Sequence, residues 1–93
     1  MVSIIIPFKN TAHFLPACLD SIVNQTYKSW EVLAVNDGSI DDSFDLVSEY
    51  SEKDNRIHVF QNRGQGIIPA LQTAYAHSKG EFITRMDSDD IMV

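Results

Sequence analysis

The chain has 93 residues, enough for one small domain and too few for two. Apolar residues make up 44% and charged residues 22%, so a folded core is expected and a disordered or fibrous chain is excluded. The formal net charge of -6, with neither a basic stripe nor an RNA-binding aromatic motif, argues against a grip on nucleic acid, and an anionic ligand would need help, most simply from a metal.

Met1 leads directly into Val2 to Ile6, a short β-branched run that reads as a strand buried on both faces and ended by Pro7. Leu15, Cys18, Leu19, Ile22 and Val23 repeat at helical spacing and predict a helix from about Leu15 to Asn24, with Pro16 tolerated in its first turn. Cys18 is the only cysteine, which leaves no internal disulfide or cysteine-based zinc cluster and fits a reducing, cytoplasmic setting. Trp30 and Val32 to Val35 predict a second strand, broken by Asn36-Asp37-Gly38-Ser39, and a capped helix follows from about Asp42 to Ser51. Ile57 to Phe60 reads as a third strand. Arg63-Gly64-Gln65-Gly66 then feeds a third helix, with Pro69 near its start and Gly80 where a left-handed C-terminal cap belongs. Glu81 to Met86 is the fourth strand and runs into Asp87-Ser88-Asp89-Asp90.

The predicted order β-α-β-α-β-α-β implies an α/β fold, a Rossmann-like parallel sheet with right-handed crossovers and three helices. With strand four beside strand one the sheet order is 3-2-1-4, and such sheets bind ligands at the carboxyl ends of the strands where the order reverses. Three loops meet there: Pro7-Phe8-Lys9-Asn10, Asn36-Asp37-Gly38-Ser39 and Asp87-Ser88-Asp89-Asp90. Carboxylates packed that closely repel one another unless a cation or water separates them. Asp89 with Asp87 is therefore a candidate site for Mg2+ or Mn2+, the alternative being a solvated acidic loop whose last Asp caps a helix. Asp37, beside Gly38, can accept from the imide N–H of uracil or thymine or from guanine N1–H, or it can cap the turn or the next helix. Arg63 and Lys9 can each reach a phosphate or stay solvated. No GxGxxG follows strand one, which speaks against the dinucleotide mode of phosphate binding. His13, His58 and His77 are not at metal-site spacings and are assigned no role.

Val2-Ser3-Ile4-Ile5-Ile6-Pro7, the Ser21 to Tyr27 segment SIVNQTY, Val35-Asn36-Asp37-Gly38-Ser39 with Asp41 and Ser43, and Gly80-Glu81 ahead of Asp87-Ser88-Asp89-Asp90 stand in an order that resembles glycosyltransferase family 2 over essentially the whole chain. The resemblance implies the N-terminal, nucleotide-sugar-binding half of a GT-A fold. It implies inverting transfer of a sugar from a nucleoside diphosphate donor, UDP-type, to a sugar or lipid-linked acceptor, as in cell-surface polysaccharide synthesis at the inner face of a membrane. It further implies that Pro7 lines the base pocket, that Asp37 binds the base, and that Asp87 and Asp89 form a D-x-D pair at ribose and metal, Mn2+ or Mg2+. Phe8, Asn10, Gly38, Arg63 and Ser88 join the nucleotide-sugar-binding set. Where family members frequently have Arg-Asn in the helix before D-x-D, this chain has Leu71-Gln72. Inverting members use a carboxylate base downstream of D-x-D to deprotonate the acceptor. The resemblance therefore implies that these residues hold the donor-binding portion, with the base beyond Val93. A non-catalytic metal- or nucleotide-binding module is the alternative. The unpaired edge of strand four and a partly covered sheet face lead to the expectation that the isolated chain forms a homodimer.

Overall fold

β-Branched and aliphatic runs become the inner strands of a sheet when helices cover both of its faces. In the computed structural model, which describes residues 1–25, 27–62 and 66–88 (Ile67 by its backbone alone), the elements follow as β1 (Val2–Phe8), α1 (Leu15–Val23), β2 (Trp30–Asn36), α2 (Ser43–Lys53), β3 (Ile57–Gln61), α3 (Ile67–His77) and β4 (Phe82–Arg85). All pairings are parallel and the strand order is β3-β2-β1-β4, as the alternating pattern predicts. Ile4, Ile6 and Phe8 of β1 and Val32 and Ala34 of β2 pack with Leu15, Leu19 and Ile22 of α1 and Val47 of α2. Their sequence neighbours Ile5, Leu33 and Val35 turn to the opposite face and pack with Ala70 and Ala74 of α3. β2 is buried along its whole length, whereas all four residues of β4 are exposed at the edge of the sheet.

Two local expectations are corrected. β1 runs through Pro7 to Phe8 instead of ending at the proline. Even-numbered residues of β1 bond towards β2, with Val2 N donating to Ser29 O and Phe8 O accepting from Asp37 N, while Ile5 O accepts from Met86 N on the β4 side. Pro7 therefore faces β4, whose registered pairing with β1 ends at Ile5 and Arg85. Its missing N–H falls one step past the ladder, so no strand bond is lost.

The second correction concerns Gly80, which does not cap α3. The helix ends at His77, followed by an extended Ser78, and the left-handed glycines among the described residues are Gly38 and Gly66. Gly80 is instead a point of close approach, since a Cβ there would lie 2.5 Å from Ser3 Oγ and 2.7 Å from Ser3 N. That approach closes a polar knot at the amino ends of the strands. Gly80 N donates to Ser3 Oγ at 2.8 Å, Ser3 Oγ donates to Glu31 Oε2 at 2.6 Å, and Lys79 N donates to the same oxygen at 2.7 Å.

Both Ser3 and Glu31 are buried, so the carboxylate is sustained by its partners and not by water. Burial alone would raise the Glu31 pKa. The Ser3 hydroxyl and the Lys79 amide, helped by the charges of His58 and Lys79, outweigh it and hold the group below 4.5. A depressed folded value means that the knot stabilises the protein above the unfolded-chain pKa and loses that contribution as pH falls through the folded one. The urea midpoint is accordingly expected to drop as pH is lowered below about 4.5. Glu31→Gln is expected to cost about 1–3 kcal/mol at neutral pH and to flatten that acid dependence. Equal midpoints for the two proteins across the range would show that the knot does not hold the strand ends together.

Candidate functional site

At the carboxyl ends of the strands the sheet order reverses between β1 and β4, and a cleft of about 300 Å³ opens there. Pro7, Phe8, Asp37, Asp87 and Ser88, all expected from the sequence, line it together. Arg63 and Asp89 lie outside the described residues. Lys9, left open by the sequence, also lines the cleft, as do Thr11, Ala70 and Arg85, which sequence reasoning did not select. Arg85 carried a signal nonetheless, because it stands two residues before Asp87, the spacing that returns a side chain to the same face of a strand.

Asn10 and Gly38 do not line the cleft; they shape its walls. Asn10 adopts φ 52°, a left-handed conformation that asparagine tolerates better than most residues, and Gly38 turns the chain after β2 at φ 76°. The loop after β1 is then laced to the loop after β2. Asn10 N donates to Ser39 Oγ at 3.1 Å, Ile40 N to Asn10 Oδ1 at 2.8 Å, Thr11 N to Ser43 Oγ at 2.9 Å and Ala12 N to Asp41 Oδ2 at 3.3 Å. Asp41 also accepts from Ser43 N at 3.0 Å. Hydrogen bonds, first from the Ser43 side chain and then from the Ser43 and Ala12 amides, hold the Asp41 carboxyl below its ordinary range against a smaller opposing effect of desolvation. Asp42, the residue before α2, makes no side-chain cap bond, and Asp41 Oδ1 takes the first helical amide, that of Ser43.

Asp37 is fixed from three directions. Its N–H donates to Phe8 O at 2.9 Å, and its Oδ1 accepts from Asn62 Nδ2 at 2.9 Å and from Gly66 N at 3.1 Å. Among the described residues no donor meets Oδ2. Asn62 and Gly66 are distant in sequence and became visible as partners only once β3 was placed beside β2. Neither of these described anchors, the Asn62 side-chain amide and the Gly66 backbone amide, carries a charge.

The third wall is the turn after β4. Met86 N bonds to Ile5 O, and the buried thiol of Cys18 donates to Asp87 O at 3.8 Å. The Asp87 carboxylate stays exposed, with Arg85 Nη2 at 3.4 Å from its Oδ1. Among the described residues no group of three or more His, Cys, Asp or Glu could hold a metal ion. Asp87 supplies one hard oxygen donor at the cleft, which suits a Mg2+ or Mn2+ ion that takes one or two carboxylates and completes its shell with water and phosphate oxygens.

The family model for glycosyl transferase family 2 matches residues 3–92. The chain belongs to that family. It is 40% identical over 89 residues to the glycosyltransferase GlyA of Streptococcus pneumoniae, covering 96% of this chain and 13% of GlyA. Its backbone superimposes on S. aureus TarS in complex with UDP-GlcNAc with a TM-score of 0.85 at 29% identity, over 97% of this chain and 27% of TarS. The mannosyltransferase PcManGT of Pyrobaculum calidifontis, in complex with GDP-Man and Mn2+, gives 0.86 at 28% identity over 97% and 28%. The chain thus spans well under a third of each of these relatives, and what it matches is the N-terminal, nucleotide-sugar-binding part of the GT-A fold.

In this family 2 chain the loop lacing centres on Ser43, which is fully buried. Ser43→Ala would leave the Thr11 amide without its acceptor and is expected to cost about 1–2 kcal/mol in urea unfolding. Amide exchange of Thr11 should accelerate more than that of β1 residues. Unaltered Thr11 exchange would show that the serine does not carry the loop.

Proposed function

We propose that the chain is the donor-binding part of an inverting, metal-dependent glycosyltransferase that takes a sugar from a nucleoside diphosphate sugar, UDP-type, to an acceptor hydroxyl. The observation that carries this reading is Asp37, whose Oδ1 is pinned by Asn62 and Gly66 while Oδ2 meets no described donor, in the cleft that also holds Asp87. A carboxylate oriented in that way recognises a base with a ring N–H. Uracil and guanine have one; cytosine and adenine do not. The two solved relatives are complexes with UDP-GlcNAc and GDP-Man, whose bases both carry that donor, which supports the same role here. Pro7 and Ala70 give the base an apolar wall.

Asp87, with Asp89, would hold Mn2+ or Mg2+; when bound, the ion neutralises the diphosphate and stabilises it as a leaving group. The remaining task of this chain is orientation. Asp37 at the end of β2 and Asp87 beyond β4 fix the two ends of the nucleotide on either side of β1, so that the anomeric carbon is presented beyond the sheet. Acceptor binding and the base that deprotonates the acceptor fall, in this proposal, to the part of the relatives that the chain does not match.

Calorimetry should show UDP binding to the chain in Mn2+, with CDP weaker, and with UDP affinity reduced on adding EDTA. Asp37→Ala should lower UDP affinity at least about tenfold, the loss of a hydrogen bond to a charged group, and bring UDP and CDP close together. Equal affinities of the native chain for UDP and CDP would refute the base assignment.

The exposed edge supports a second proposal, that isolated copies of the chain pair through β4. Phe82 is 68% and Ile83 44% exposed, and the strand has a sheet neighbour on one side only. A two-fold axis would satisfy the open backbone groups of both copies at once. Light scattering over a dilution series should report a dimer, with Ile83→Lys shifted towards monomer. A monomer at high micromolar concentration would rule it out.

A further inference from the structure

The cleft contains two cations that the base and metal roles leave unused. Lys9 follows β1 and Arg85 closes β4, and both line the same cavity as Asp37 and Asp87. In a protein of net charge -6 this is a local balance of two positive and two negative side chains among the described lining residues. Neither cation has a firm structural partner. Lys9 makes no hydrogen bond or ion pair with any described residue. Arg85 reaches Asp87 Oδ1 at 3.4 Å, well beyond the roughly 2.7–2.9 Å of a strong charge-assisted bond, and both side chains are at least half exposed. An exposed pair at that distance contributes little and is readily exchanged for a better anion.

Strand order gives these groups a sequence across the site. Asp37 leaves β2, Lys9 leaves β1 and Arg85 ends β4, and the three strands are consecutive neighbours in the sheet. Two strand spacings, roughly 10 Å, separate β2 from β4 across the sheet, and Arg85, set back along β4 opposite Ile5, reaches the cleft with its long side chain, while Lys9 follows the strand between them. A ribose and its phosphates bridge such a gap. The guanidinium is also the side chain whose planar fork matches two oxygens of a phosphate at once.

We propose that Arg85, with Lys9, binds the diphosphate of the donor. This rests on the donor reading of the cleft and extends it. Arg85 leaves Asp87 for the phosphate oxygens as the nucleotide enters, and this frees Asp87 Oδ1 for the ion. Lys9 meets the chain of phosphates nearer the ribose. The two cations account for how an acidic protein holds a highly anionic ligand at a site whose acidic groups would otherwise repel it.

The test separates phosphate binding from base binding and from folding. The native chain, Arg85→Gln, Arg85→Lys and Lys9→Gln are titrated with UDP and with uridine in EDTA, followed by amide chemical shifts, which report dissociation constants into the millimolar range. Arg85→Gln should lose at least about tenfold in UDP affinity and change uridine affinity by less than about twofold. Lys9→Gln should show a smaller loss of the same kind, and Arg85→Lys should retain part of the native UDP affinity because the charge survives without the fork. Native UDP affinity in Arg85→Gln would overturn the proposal. So would equal losses for UDP and uridine, since those would mark a structural role. A native chain that binds neither compound in EDTA and no UDP in Mn2+ would refute the donor reading itself, a result distinct from either of these.

Discussion

Everything in this molecule hangs from the two edges of β1. It is the strand that pairs with both β2 and β4, and it is the place where the sheet order reverses. Hydrogen bonds fix its two ends differently. At the amino end, Ser3 joins Glu31 of β2 to the Gly80 amide just before β4, a buried polar knot that sets the register of three strands. At the carboxyl end, Phe8 O takes the Asp37 amide and Ile5 O takes the Met86 amide, so the two acidic loops start from opposite edges of the same half of β1. A slip of one residue in either pairing would turn the buried faces over and separate the loops. The fold and the site therefore share one set of constraints.

The glycine and polar residues that look most like ligand contacts divide into two groups when placed on this frame. Ser39, Asp41 and Ser43 spend their side chains on the loop after β1, and Asn36 spends its amide on Gln61 and its carbonyl oxygen on Ser39 N. These are supporting bonds that hold one loop at the correct height against another. Asp37 belongs to the second group, with Oδ1 committed to the protein and Oδ2 meeting no donor among the described residues. Preorganisation of this kind is what gives a short acidic motif its selectivity, because the carboxylate does not have to be ordered when the ligand arrives.

How much of this could be read in the sequence follows from the range of the interactions. Strand order, the three helices and the convergence of the loops at Pro7, Asp37 and Asp87 depend on hydrophobic period and on the handedness of parallel crossovers, both of which are written locally. The end of β1 was misplaced because proline reads as a strand breaker until one knows which neighbour its nitrogen faces. Gly80 was misassigned for a similar reason. A glycine just after a helix has the sequence signature of a cap, while its real function, clearance for Ser3, is set by a residue 77 positions away. The Asn62 and Gly66 bonds to Asp37 cross from β2 to the segment after β3 and had no local signal. Arg85 stands at the end of an edge strand, and only the shape of the cleft shows that it borders the site.

The two ends of the cleft differ in how firmly they are built, and the difference has a physical logic. Asp37 extends from β2, which is buried throughout and paired on both sides, and its carboxylate is tied to two further segments. Asp87 extends from β4, whose four residues are exposed and which is paired on one side only. Local opening free energies follow burial and backbone protection, so the Asp37 end of the cleft, proposed to take the base, is the stable one and the Asp87 end, proposed to take phosphate and metal, the compliant one. A planar base is recognised by the direction of one hydrogen bond, which demands a rigid acceptor. Phosphates and ions are recognised by charge, which tolerates adjustment and pulls flexible groups into place. The edge strand can therefore remain loosely packed without loss of selectivity, because the interactions assigned to it are the ones that need the least prior order.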